Sequence, residues 1–169
     1  YNSGASKAYA KDTAGAKSDY EVGKAYLVKA VEQDPKLAAA QLNLGSTHNG
    51  LGEFQMAVNV LKVALGLRSG WGLATNQLGL GYRGLGDLAN AVSMFKQVVD
   101  MNGNDKFGLF NLGEAYNASG NKKEAKKIND RLKKLELLDA PIAHLEGPGA
   151  FGILQILRIA VQLQGAADC

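Results

Sequence analysis

Cysteine is almost missing from this chain of 169 residues: the single one is Cys169, at the last position. That excludes an intramolecular disulfide framework and any cysteine-based metal site. Histidine is nearly as rare, and His48 and His144 have no His or Cys partner at ligand spacing, so no metal is expected. No uncharged apolar run approaches the roughly 20 residues of a membrane-spanning helix, and no signal-peptide core stands at the front. The chain opens on Tyr1, not Met, as a processed or truncated N-terminus would; periplasmic, secreted and cytoplasmic placement all stay open. A formal charge of +3 is too small to argue for nucleic acid. With 46% apolar and 21% charged residues, the composition is that of a folded chain rather than a disordered one.

What is abundant is glycine, and it is periodic. Gly45, Gly79 and Gly113 are 34 residues apart, and so are Gly52, Gly86 and Gly120. The stretch Leu78-Gly79-Leu80-Gly81-Tyr82-Arg83-Gly84-Leu85-Gly86 has counterparts at Leu44 to Gly52 and at Leu112 to Gly120. A period kept twice without insertion means one structural unit copied along the chain. Counted so that Leu-Gly falls at positions 7 and 8, the units begin at Ala38, Gly72 and Lys106. Position 20 is Ala57, Ala91 and Ala125, and position 24 is Leu61, Phe95 and Asn129. Small residues at positions 8 and 20 let two antiparallel helices approach closely, and glycine at position 15 accepts the left-handed conformation that ends a helix. One such hairpin cannot bury its apolar face alone, so neighbours must stack.

Expected helices cover 37–50, 53–67, 73–85, 87–101, 106–119 and 122–138, separated by turn residues. Asp87 and Asp105 stand where a helix N-terminus favours a carboxylate. Ahead of them, residues 1–17 read as a weak helix, and Ser18-Asp19-Tyr20-Glu21 as the N-cap of a second one ending at Asp34-Pro35.

The spacing resembles the tetratricopeptide repeat, a 34-residue helix-turn-helix unit. Its aromatic position 11 reads His48, Tyr82 and Tyr116; its tryptophan position reads Gln41, Thr75 and Leu109. Its proline appears one period early as Pro35, which places a degenerate unit from about Gly4, with Gly23, Leu27 and Ala30 at positions 20, 24 and 27. The resemblance implies an all-α, right-handed α-solenoid over 1–139, with units starting near 4, 38, 72 and 106, and a non-catalytic scaffold for a protein or peptide partner.

In that architecture the first helix of each pair lines a concave groove. The implied groove residues are Leu42, Asn43, Ser46 and Asn49; Leu73, Asn76, Leu80 and Arg83; and Phe107, Phe110, Glu114 and Asn117. Leu42, Leu73, Leu80, Phe107 and Phe110 form an apolar stripe suited to a partner helix or extended segment. Of the carboxylate clamp of chaperone-binding relatives only Asn43 has a counterpart; Leu73 and Gln77 replace the basic residues. Capture of a free acidic C-terminus is therefore not expected.

Beyond residue 139 the composition changes: all 15 lysines precede it. Residues 140–149 read as a linker and 150–169 as an apolar C-terminal helix or tail. That tail would cap the last hairpin, fill a groove of its own or a neighbouring molecule, or rest weakly on a membrane surface. Structural self-assembly into an oligomer or filament is accordingly the alternative function.

Three motifs invite chemistry and do not support it. Gly79-x-Gly81-x-x-Gly84 matches a dinucleotide fingerprint, yet no buried strand precedes it, so no cofactor is expected. Asn117-Ala118-Ser119 has the form of a glycosylation sequon at a helix end. Lys122, Lys123, Lys126, Lys127, Arg131, Lys133 and Lys134 make the last repeat helix basic, but Glu124, Asp130 and Glu136 are interspersed as on a solvated face, with an acidic partner, whether protein, lipid or nucleic acid, as the alternative; no aromatics are interleaved for base stacking. No grouping of Ser, His and Asp marks a catalytic site.

Overall fold

The computed structural model describes residues 3–139, and the side chains of residues 17–137. The apolar tail and its linker lie outside the described residues. Seven helices follow one another: α1 (Ser3–Gln33), α2 (Ala38–Leu51), α3 (Phe54–Leu67), α4 (Gly72–Gly84), α5 (Leu88–Met101), α6 (Lys106–Ala118) and α7 (Lys122–Asp139). Among the described residues there is no strand. The compact units divide between Asn129 and Asp130, inside α7. In the first, α2 pairs with α3 and α4 with α5; α1 packs on α2, α3 on α4 and α5 on α6. In the second, Arg131, Lys133 and Lys134 lie on the exposed face of α7.

The hairpin turns are three copies of one device. Gly52, Gly86 and Gly120 adopt φ of 78°, 76° and 78°. At each, the glycine N–H donates to a carbonyl three residues back, Asn49, Arg83 and Asn117. The following N–H reaches five residues back, to His48, Tyr82 and Tyr116, at 2.9 Å in each case. These are the paired bonds of a helix ended by a left-handed residue. The helix after Gly86 is then capped by Asp87, whose side chain accepts from the N–H of Asn90, and α6 is capped likewise by Asp105, which accepts from the N–H of Gly108; Glu53, ahead of α3, makes no such bond.

Position 15 of the first unit is Ser18, and there the expected break does not occur: α1 runs unbroken for 31 residues. Serine resists the left-handed conformation that the three glycines take. Without it the chain has no means to reverse, and Ser18 is an interior helical residue instead of an N-cap.

Close approach at position 8 is equally periodic. A Cβ on Gly45 would collide with Leu61, on Gly79 with Phe95 and on Gly113 with Asn129, each partner lying at position 24 of the same repeat. Leu61 and Phe95 are fully buried. A second periodic contact joins neighbouring repeats: the ring of Tyr20 lies over Gly50, and one period later the ring of Phe54 lies over Gly84. The C-terminal half of α1 thus contacts α2 as α3 contacts α4.

A candidate groove along the first helices of the repeats

The groove is built by α2, α4 and α6 and closed at one end by α1. Two hollows lie along it. The first, about 760 Å³, is bounded by Tyr20 and Leu27 of α1, Asn43, Ser46 and Asn49 of α2, and Gln77, Leu80 and Arg83 of α4, with Phe54 at its edge. The second, about 420 Å³, lies between Leu73, Asn76 and Leu80 of α4, Phe107 and Asn111 of α6, and Asp105, the residue that caps α6. Leu80 belongs to both.

Amide side chains hold these helices in register. Asn49 Nδ2 donates to the backbone carbonyl of Gln77 at 2.8 Å and to its Oε1 at 3.1 Å. One repeat on, Asn111 Nδ2 donates to Asn76 Oδ1 at 3.0 Å. Asn49 Oδ1 is buried with no hydrogen-bond partner and lies against Gly81, 3.3 Å from where a Cβ would stand. Gly81 is the residue that lets α2 and α4 come this close.

The implied groove residues separate into distinct environments. Asn43, Ser46, Asn49, Leu80 and Arg83 line the first hollow and Leu73, Asn76 and Phe107 the second, while Phe110, Glu114 and Asn117 lie on α6 outside both. Leu42 corrects the expectation: only 4% exposed, it is a core residue packed with Ala57, Val58, Leu61, Ala74 and Leu78. Position 5 faces the next repeat, and what stands there decides the outcome. Leu42 shares its core cluster with Ala74 and Leu78 of the second repeat, and Asn76 bonds Asn111 of the third. Phe110 remains 54% exposed, since no fourth hairpin follows α7 among the described residues. The apolar stripe is therefore shorter than expected: Leu73 and Phe107, 57% and 80% exposed, flank the half-buried Leu80. Tyr20, Leu27, Phe54 and Gln77 were not anticipated as lining residues. The 34-residue spacing of Tyr20 and Phe54 was the signal that could have found the first and third.

Beside the first hollow sits a polar cluster. His48 is buried, and its Nδ1 lies 2.5 Å from Glu53 Oε2; Lys24 Nζ donates to Glu53 Oε1 at 2.9 Å and also pairs with Glu21 at 2.8 Å. With Glu53 ionised, Nδ1 must carry the proton. The hydrogen bond from Lys24, then that from His48, holds the Glu53 carboxyl below its ordinary value, and the bonds to Glu21 and Glu53 raise the Lys24 ammonium. For Glu53 the folded value is depressed, so its stabilisation is present above the unfolded value of about 4.3 and is lost as pH falls through the lower folded value. For Lys24 the folded value is raised, so its share is present below about 10.4 and lost as pH rises above it. In urea melts, lowering the pH from neutral to below 4 should therefore destabilise the wild type more than Glu53→Gln. Parallel acid dependences would remove Glu53 from the account.

Comparison with known proteins agrees with this architecture. Residues 76–135 match the family model of the tetratricopeptide repeat. A crystal structure of MamA protein superposes with a TM-score of 0.64 at 24% identity, covering 86% of this chain and 94% of that one. A second crystal structure of MamA matches at 21% identity over 80% of this chain and 95% of that one, with a TM-score of 0.48. No curated protein matches the sequence. The described chain is an all-α tetratricopeptide-like solenoid.

Proposed function

We propose that the chain is a non-catalytic scaffold that binds a segment of another protein along the groove of α2, α4 and α6. The observation that carries this reading is the pairing of exposed Leu73 and Phe107 with an adjoining hollow whose walls set amides, hydroxyls and one arginine beside Leu27, Phe54 and Leu80. Large apolar anchors beside hydrogen-bonding groups are what a bound peptide uses for affinity and register. With p-benzoylphenylalanine in place of Phe107, illumination of an extract of the source cells should yield one dominant adduct with another protein. The same probe in place of Met56, an exposed residue of α3, should yield none. Equal labelling from both positions would defeat the groove reading.

A second reading, self-association, has its own support. Position 20 is a fully buried alanine in the next two repeats, whereas a Cβ on Gly23 would have nothing within 4 Å. Beside it Val22 is 57% and Tyr26 71% exposed. This is the face that a folded-back first helix would cover. A probe in place of Tyr26 that gave adducts between two copies of the chain would favour it.

A further inference from the structure

We propose that the occupant of the groove is an extended peptide carrying a carboxylate at Arg83 and, four or five residues away, one large apolar side chain between Leu73 and Phe107. This rests on the groove reading above and adds the chemistry of the partner.

Charge fixes one end. Arg83 is the sole charged residue bounding the first hollow. It is half-buried, and among the described residues its side chain has no hydrogen bond or ion pair; its backbone carbonyl accepts from Gly86 N–H. A guanidinium so placed favours a planar anion that can accept two parallel bonds. The second hollow has the opposite bias: its one charged residue is Asp105, whose carboxylate accepts from Gly108 N–H at 2.9 Å as the cap of α6. A peptide carboxylate is thus drawn to the Arg83 end and repelled from the Asp105 end.

Apolar surface fixes the other end. Leu73, Leu80 and Phe107 converge on the second hollow, and Leu73 and Phe107 are uncovered. Leu73 and Arg83 lie ten positions apart on α4, which at 1.5 Å per residue is about 15 Å. An extended chain covers that in four or five residues at about 3.3 Å each.

The groups between the two ends select an extended backbone over a helix. Asn76 and Gln77 use their side-chain oxygens as acceptors for Asn111 and Asn49, while neither amide nitrogen donates to anything among the described residues. Asn43 is exposed on the facing helix. Amide donors in a row are matched by the free carbonyls of an extended peptide, whereas a helix has already satisfied its own.

The test is to pan a phage-displayed random dodecapeptide library on the full chain and on three folded variants, with circular dichroism as the check of folding. Peptides selected by the wild type should carry Asp or Glu four or five residues from Leu, Ile, Met or Phe. Arg83→Gln should lose the acid and keep the apolar residue, Arg83→Lys should keep both, and Phe107→Ser should lose the apolar residue and keep the acid. For a selected peptide read by fluorescence anisotropy, exchanging its Glu for Gln should weaken binding to the wild type about fivefold, as a half-exposed ion pair allows, and leave binding to Arg83→Gln unchanged. Selected peptides without an acid, an acid preference that survives Arg83→Gln, or a spacing of about ten residues between the two features, which a helix rising 1.5 Å per residue would need to cover the same distance, would overturn this inference. The groove reading would survive those results provided Phe107→Ser weakened binding of the peptides that the wild type selects. Selection of no groove-dependent peptide would overturn both.

Discussion

Replacing Phe95 with alanine should destabilise the protein by about 3–5 kcal/mol, the cost of emptying a fully buried aromatic site. Phe95 has no exposed surface, and its ring rests on the bare backbone of Gly79, where a Cβ would stand 2.6 Å from Cε1. That contact makes a sharper test than the loss alone. In the wild type, Gly79→Ala gains helix propensity worth about 1 kcal/mol but forces the ring to move, an overpacking cost of about 1–3 kcal/mol. Its net effect is therefore neutral to destabilising. In the Phe95→Ala background the obstacle is gone, the new methyl partly fills the space, and Gly79→Ala should become stabilising. Urea melts followed by circular dichroism would give the four corners of the cycle. If Gly79→Ala has the same effect in both backgrounds, position 8 is not small on account of position 24. Because each repeat is held mainly by its neighbours, hydrogen exchange should show α4 and α5 losing protection before α2 and α3.

The features written into the sequence are those that the chain settles within one repeat. Gly45, Gly79 and Gly113 each meet a residue 16 positions later in the same hairpin, so the period alone located the contacts. Asp87 and Asp105 cap helices that begin one residue later, a matter of local hydrogen bonding. What could not be read depends on contacts between repeats, or on a signal that is absent. Leu42 looked like a groove residue because its repeat position says so; it is buried in a core cluster that includes Ala74 and Leu78 of the next repeat. The same position leaves Phe110 exposed, since there the covering repeat is missing among the described residues. Ser18 misled in another way. Ser-Asp-x-Glu is good N-cap chemistry, yet a cap begins a helix only where the preceding one has stopped, and the stop here needs a left-handed residue. Reading position 15 across the units as Ser18, Gly52, Gly86 and Gly120 would have shown that one of the four lacked it.

The same comparison sets the scale of the second large effect. Gly86→Val should cost about 2 kcal/mol, because a β-branched residue at φ of 76° is held in a conformation that L-residues avoid. Packing does not explain this, since a Cβ on Gly86 would have nothing within 4 Å. The penalty is one of backbone conformation alone. The chain has two ways to respond, both costly: it keeps the turn and bears the strain, or it gives up the bonds from Gly86 N–H to Arg83 and from Asp87 N–H to Tyr82 and lets α4 run on, as α1 runs through Ser18. The second route would pull Asp87 from its place as the cap of α5, where the hydrogen bonds of Asn90 hold its carboxyl below the ordinary value. Gly66 supplies the control. It lies inside α3, exposed and with open space where a Cβ would be, so Gly66→Ala should stabilise by about 0.5–1 kcal/mol. Opposite signs at two equally uncrowded glycines in urea melts would assign the role of Gly86 to its left-handed backbone. Equal effects at the two sites would mean that the turn between α4 and α5 does not require a left-handed residue, and the account of why α1 fails to fold back would fall with it.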